Sequence, residues 1–172
     1  MTGADTDDPK AALVTGAATD PKAAFPVPVP DRDTQPFWDG CRRRELSIQR
    51  CAACQKWLWQ PRPVCSSCQT PEPAWTKVSG DGFVASWTVM RPPTLPAYAD
   101  KVPFVILLVE LNEGVRLIGY LVDGEGRLLE TDGAAEGVRI GARVSLRFHD
   151  QAGTILPSWM LVLQEIDRRA RS

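Results

Sequence analysis

Histidine occurs once in this 172-residue chain, at position 149, so no constellation that needs two imidazoles can form. Recognisable catalytic motifs are missing too: there is no Gly-x-Ser-x-Gly elbow, Walker loop or dinucleotide fingerprint. Net charge is also lacking. Lys and Arg number 20 against 21 Asp and Glu, giving −1, which speaks against the strongly basic footprint of a nucleic-acid binder. The longest apolar run, "FVILLVEL", is far too short to span a bilayer. The N-terminus has no basic start followed by an apolar core, so a secretory signal is not expected.

Five cysteines are present, at 41, 51, 54, 65 and 68. Four of them form Cys51-x2-Cys54-x10-Cys65-x2-Cys68. Each Cys-x-x-Cys turn lets two soft thiolates reach one ion, and two such turns complete a tetrahedron. The donor set favours zinc, with iron in a rubredoxin-like site as the alternative. Four protein ligands leave no open coordination position, so the metal is expected to be a structural staple and not a catalyst. Unpaired cysteine chemistry of this kind suits a reducing cytoplasm, the expected location.

Residues 1–33 read as a disordered leader: "DPKAA" occurs twice and "FPVPVP" follows, too little apolar surface to offset ordering entropy. An N-terminal helix is expected over 34–48, capped by Asp33 or Thr34, with Pro36 in its first turn. Phe37 and Trp38 give it an apolar face that Cys41 joins as a small buried hydrophobe, while Gly40 lowers helix propensity. The metal ribbon occupies 49–73. Trp57 and Trp59 lie between its knuckles, either packed on the neighbouring domain or presented to a partner.

From Trp75 the pattern is β: segments 82–90, 103–111, 115–123, 142–148 and 158–166 alternate between turn-rich stretches, and "NEG" at 112–114 marks a hairpin. The fold class is therefore mainly β, with residues 74–172, including the strand around Trp75, forming a small OB-fold barrel; a sandwich is the alternative. The loop at 91–103 carries four prolines with Leu95 and Tyr98, and the loop at 124–141 accommodates a helical turn.

No catalytic residue emerges. His149 and Cys41 lack an identifiable partner, and the arginines and lysine around the ribbon (Arg42, Arg43, Arg44, Arg50, Lys56, Arg62), with Arg91 and Arg116, read individually as a solvated face. Together they could meet phosphates. A competing reading makes the barrel a module for single-stranded nucleic acid, with Trp87 and Tyr120 as a stacking platform.

The order "FWDG…RRREL…QRCAACQKW…PRPVCSSC…SGDGFVASWTV…RPP…PFVILLVELNEGVRLIGYLVD…RIGARVSLRF" resembles the zinc-ribbon/OB-fold acyl-CoA-associated proteins, domain of unknown function 35, over about residues 34–166. That resemblance implies a non-catalytic subunit that docks on a thiolase-fold enzyme, such as a steroid side-chain retro-aldolase, and helps to shape its acyl-CoA site. Bond cleavage or formation next to the thioester would fall to the partner, in a heterotetramer. It implies structural zinc on Cys51, Cys54, Cys65 and Cys68. Partner contacts are expected at Phe37, Trp38, Trp57 and Trp59, and acyl-CoA or loop contacts at Arg91, Pro92, Pro93 and Tyr98.

Overall fold

The computed structural model describes residues 24–162. The repeated "DPKAA" motif lies almost wholly outside them. Helix α1 (Gln35–Arg42) opens the domain, followed by β1 (Ser47–Arg50), β2 (Trp57–Leu58) and β3 (Ala74–Lys77). The barrel strands are β4 (Gly82–Met90), β5 (Phe104–Leu111), β6 (Arg116–Tyr120), β7 (Arg143–Gln151) and β8 (Thr154–Leu161). Among the described residues no helix is long and apolar enough to cross a membrane.

The helix starts differently from expectation. Thr34 stands at the N-cap but its side chain does not cap. Its hydroxyl donates instead to the Asp31 carboxylate, and its backbone N–H donates to the same oxygen at 2.8 Å. Pro36 fits the first turn because it has no N–H to satisfy. Gly40 is tolerated because the chain doubles back over it: an added Cβ would sit 2.8 Å from the Glu45 carbonyl oxygen. Cys41 is fully buried, as its spacing from Phe37 predicts.

Two antiparallel sheets follow. The smaller has the order β2-β1-β3 and carries the metal knuckles at one end. The sequence reading assigned the strand around Trp75 to the barrel, and the structure corrects this. Ala74–Lys77 pairs with Ser47–Arg50, because the chain leaving the second knuckle returns alongside the strand that entered the first. The larger sheet has the order β6-β5-β4-β7-β8. A parallel bridge, Leu121 to Trp159, joins its ends into a barrel, the closed arrangement that hides strand edges. Closure is tight. Gly119 lies so close to β8 that a Cβ there would meet the Pro157 carbonyl at 2.4 Å and the Trp159 ring at 2.5 Å.

Strand β5 shows why the periodicity was readable. Val105, Leu107, Val109 and Leu111 point inward at 2% exposure or less, and the residues between them face out. The "NEG" turn joins β5 to β6, with Gly114 at φ +80°. The last hairpin is longer than expected: Ala152 and Gly153 both take positive φ, giving a two-residue turn, so β8 begins at Thr154 and contains Pro157. Strand β8 ends the sheet order, where proline is tolerated. The 124–141 loop holds turns and no helix.

One core serves helix, ribbon base and barrel. Phe37, Cys41, Leu46 and Ile48 pack in the same cluster as Val105, Leu117 and Trp159. Trp159 is fully buried and donates its indole N–H to the Gly80 carbonyl at 2.8 Å. Of the expected leader, residues 24–33 are described, and they lie along the domain. Phe25 packs edge-on against Tyr98 with centroids 5.0 Å apart, and the Pro26 carbonyl accepts a hydrogen bond from the Gln151 amide at 3.3 Å. A proline-rich strap is already stiff, so two anchors are enough to lay it along the domain, although much of it stays exposed.

Candidate metal centre and its surroundings

Each knuckle is the same small machine. Cys51 Sγ accepts the Cys54 N–H at 3.5 Å, and Cys65 Sγ accepts the Ser67 N–H at 3.4 Å. Gln55 and Gln69, the residues after each pair, sit at φ +62° and +60° and donate back to the carbonyls of Cys51 and Cys65 at 2.9 and 3.0 Å. Both turns then pair onward, Cys51 with Lys56 and Cys65 with Thr70. Left-handed backbone at a glutamine is strained, and here it recurs at equivalent positions of the two turns.

The four Sγ atoms lie within 4.8 Å of one another, with Cys51–Cys68 at 3.5 Å and Cys54–Cys65 at 3.7 Å. Sulfurs about 2.3 Å from a tetrahedral zinc stand roughly 3.8 Å apart, so the donor set fits that ion. Hydrogen bonds from the Thr70 hydroxyl, then from its backbone N–H, pull the Cys68 thiol down to about 6. Cys51 and Cys65 are buried while Cys54 and Cys68 reach the surface. Zinc held here is structural.

The aromatic residues form a groove beside the cage. Trp38 and Trp59 line it with Pro61 and Ile118, Asp31 and Asp33 stand at its edge, and its volume is about 350 Å³. Phe37, offered to a partner by the sequence, is only 4% exposed and forms the groove's floor, its ring 4.8 Å from Trp59 and 4.9 Å from Trp38. Trp57 lies under the Arg50 guanidinium, 5.0 Å from its centroid. These tryptophans pack against the core and remain partly exposed.

The basic residues do not form a phosphate track. Arg42 pairs with Asp39, Arg43 with Glu45, Arg91 with Asp132 and Arg116 with Glu110. Lys56 donates to the Ser67 hydroxyl and Arg62 to the Gln60 carbonyl. No stacking platform forms either. Trp87 pairs with Leu107 and Tyr120 with Ile106, and neighbouring residues of a strand point to opposite faces. Trp87 and Tyr120 therefore lie on opposite sides of the sheet.

Arg91, Pro92 and Pro93 are exposed on the loop before β5, but Tyr98 of the same loop is buried against Phe104. Its hydroxyl meets those of Tyr120 at 2.9 Å and the Gln151 carbonyl oxygen at 3.2 Å. Burial, then the hydrogen bond to Tyr98, pushes the Tyr120 phenol well above its ordinary range. Cys41 is fully buried, and that burial pushes its thiol up to about 12. Sequence reasoning missed Phe25, Gln151 and the setting of His149. The only available signal was an aromatic residue heading a proline run.

A four-thiolate ribbon fused through one core to a five-stranded OB barrel defines a ribbon-plus-barrel class of protein. The comparisons agree: the model for the ChsH2 rubredoxin-like zinc ribbon domain matches residues 38–74, and that for the ChsH2 C-terminal OB-fold domain matches 75–149. The chain belongs to this DUF35 family. It is 42% identical over 94 residues to the 3-oxo-4,17-pregnadiene-20-carboxyl-CoA hydratase alpha subunit of Mycobacterium tuberculosis, a match covering 55% of this chain and 29% of that subunit. It is 30% identical to a DUF35 domain-containing scaffold protein of Methanothermobacter thermautotrophicus, covering 56% and 73% of the two chains. The chain spans 31% and 29% of the two curated hydratase alpha subunits it matches. Among solved structures it resembles a chain of the Ltp2-ChsH2(DUF35) aldolase, with TM-score 0.68 and 31% identity over 80% of this chain and 100% of that one.

Proposed function

We infer that this chain is a non-catalytic subunit that docks on a thiolase-like partner and helps to form its acyl-CoA site for carbon–carbon bond cleavage or formation. Steroid side-chain degradation is the proposed setting and a heterotetramer the proposed assembly. The observation that carries the reading is the likeness, over 80% of this chain and 100% of the other, to a chain of the Ltp2-ChsH2(DUF35) aldolase. The chain's own chemistry supports it. The cage uses all four cysteines, Cys41 is sealed, and His149 spends one ring nitrogen on the Gly126 carbonyl at 2.9 Å.

In this reading the Trp38–Trp59–Ile118 groove receives an apolar segment of the partner, while Asp31 and Asp33 favour a basic residue beside it. The exposed stretch Arg91, Pro92 and Pro93, with Tyr98 behind it, forms a stiff wall of the acyl-CoA site and helps to exclude water. The test is co-expression with thiolase-fold proteins. Expected are co-purification, turnover only in the complex, and binding weakened at least about 30-fold by Trp38→Ala, the size of an interface hot spot. Turnover by the isolated chain, or no association with any thiolase-fold protein, would overturn the reading.

A further inference from the structure

The N-terminal strap crosses a cleft that shares Tyr98 with the loop assigned above to the acyl-CoA site. It lies between the Pro-rich loop, the 123–128 turn and the tip of the β7–β8 hairpin, and encloses about 550 Å³ with Phe25 in place. That is the size range of small-molecule sites. Phe25, Tyr98, Leu128 and Phe148 give it apolar walls, His149 and Gln151 supply neutral polar groups, and charged side chains of both signs, among them Arg44, Lys101, Glu130 and Asp150, stand around it.

Two details say what it would hold. The Gly126 carbonyl can only accept, so His149 Nδ1 carries a proton, and the ring is held by that bond with its other nitrogen free of it. Only glycine fits at position 126, which packs against β7 at φ +84°, where a Cβ would stand 2.4 Å from the Phe148 oxygen. The second detail is the strap itself. It places a flat ring edge-on to Tyr98 and a carbonyl on the Gln151 amide, while Tyr98 and Tyr120 hold the other end of that amide. The chain thus displays a specimen of what the cleft recognises: a planar apolar group followed by a carbonyl. The specimen is loosely kept, because Phe25 is half-buried and Val27 and Val29 beyond it are 53% and 80% exposed.

We propose that this cleft is a binding site for a flat apolar molecule bearing a carbonyl, and that the Phe25–Pro26 strap is its internal competitor. The ligand's ring takes the place of Phe25 on Tyr98, and its carbonyl takes the Gln151 amide from Pro26. The site belongs to this chain alone and does not depend on the partner assignment.

The probe is 6-dimethylamino-2-acetylnaphthalene, a planar ketone whose fluorescence reports an apolar environment, titrated into the full chain. Because His149 is the sole histidine, its imidazole resonances give an assigned reporter inside the cleft without any substitution. Expected are a blue-shifted emission and movement of those resonances along one saturable curve. Phe25→Ala should tighten binding by about tenfold, as for a strap closed nine-tenths of the time. Leu128→Trp, which fills the cavity, should abolish binding in either background. The proposal is overturned if the probe fluoresces while the His149 signals stay fixed, or if Phe25→Ala leaves the affinity unchanged.

Discussion

Stripping the metal should unfold the knuckles and leave the barrel standing. Apart from cysteines, the ribbon tip contains one fully buried apolar side chain, Leu58 at 3% exposure. Its burial is worth about 1.5–3 kcal/mol. Gln55 and Gln69 at positive φ oppose that with roughly 1–3 kcal/mol each. Structural zinc in ribbons of this size contributes about 10–16 kcal/mol, so the ion is what tips the balance. The ribbon base is different: Leu46 and Ile48, at 1% and 0% exposure, belong to the common core. After chelation, hydrogen–deuterium exchange over 51–70 should rise to unprotected rates while 104–111 keeps its protection. Tryptophan emission should shift to the red as Trp57 and Trp59 lose their packing. If metal analysis shows the ion gone and 51–70 stays protected, the tip holds itself together and the argument fails.

Gly119→Ala should destabilise the barrel by about 1–3 kcal/mol or more in urea unfolding, because the new methyl meets backbone and ring atoms with no room to yield; a neutral result would mean the β6–β8 seam is looser than described. Cys41 should resist thiol reagents after chelation, when the other four cysteines react, and should label only on global unfolding. Burial holds its folded value at about 12, above the ordinary thiol range, so its contribution to stability is full below that range and is lost as pH rises towards 12. Denaturation midpoints across pH 8–11 check the sign.

The metal ligands were legible because Cys-x-x-Cys is a local device: the same few residues make the turn and supply the sulfurs. The barrel strands and the "NEG" hairpin were legible for the same reason, since alternation and turn chemistry act over short stretches. The burial of Phe37 was not legible because burial depends on what lies across the core. The packing of the strap at 24–33 was not legible because composition does not show Gln151, which is 125 residues away from Pro26 and holds its carbonyl.

The sequence by itself determined the four-sulfur cage, the β periodicity and the inward set of β5, all consequences of spacing along one stretch of chain. Only the tertiary structure decided which sheet Ala74–Lys77 joins and that Trp87 and Tyr120 lie on opposite faces. It also decided that Phe25 closes a cleft beside the single histidine. Those outcomes turn on contacts between residues far apart in the chain, whose free energy exists only once the barrel has closed.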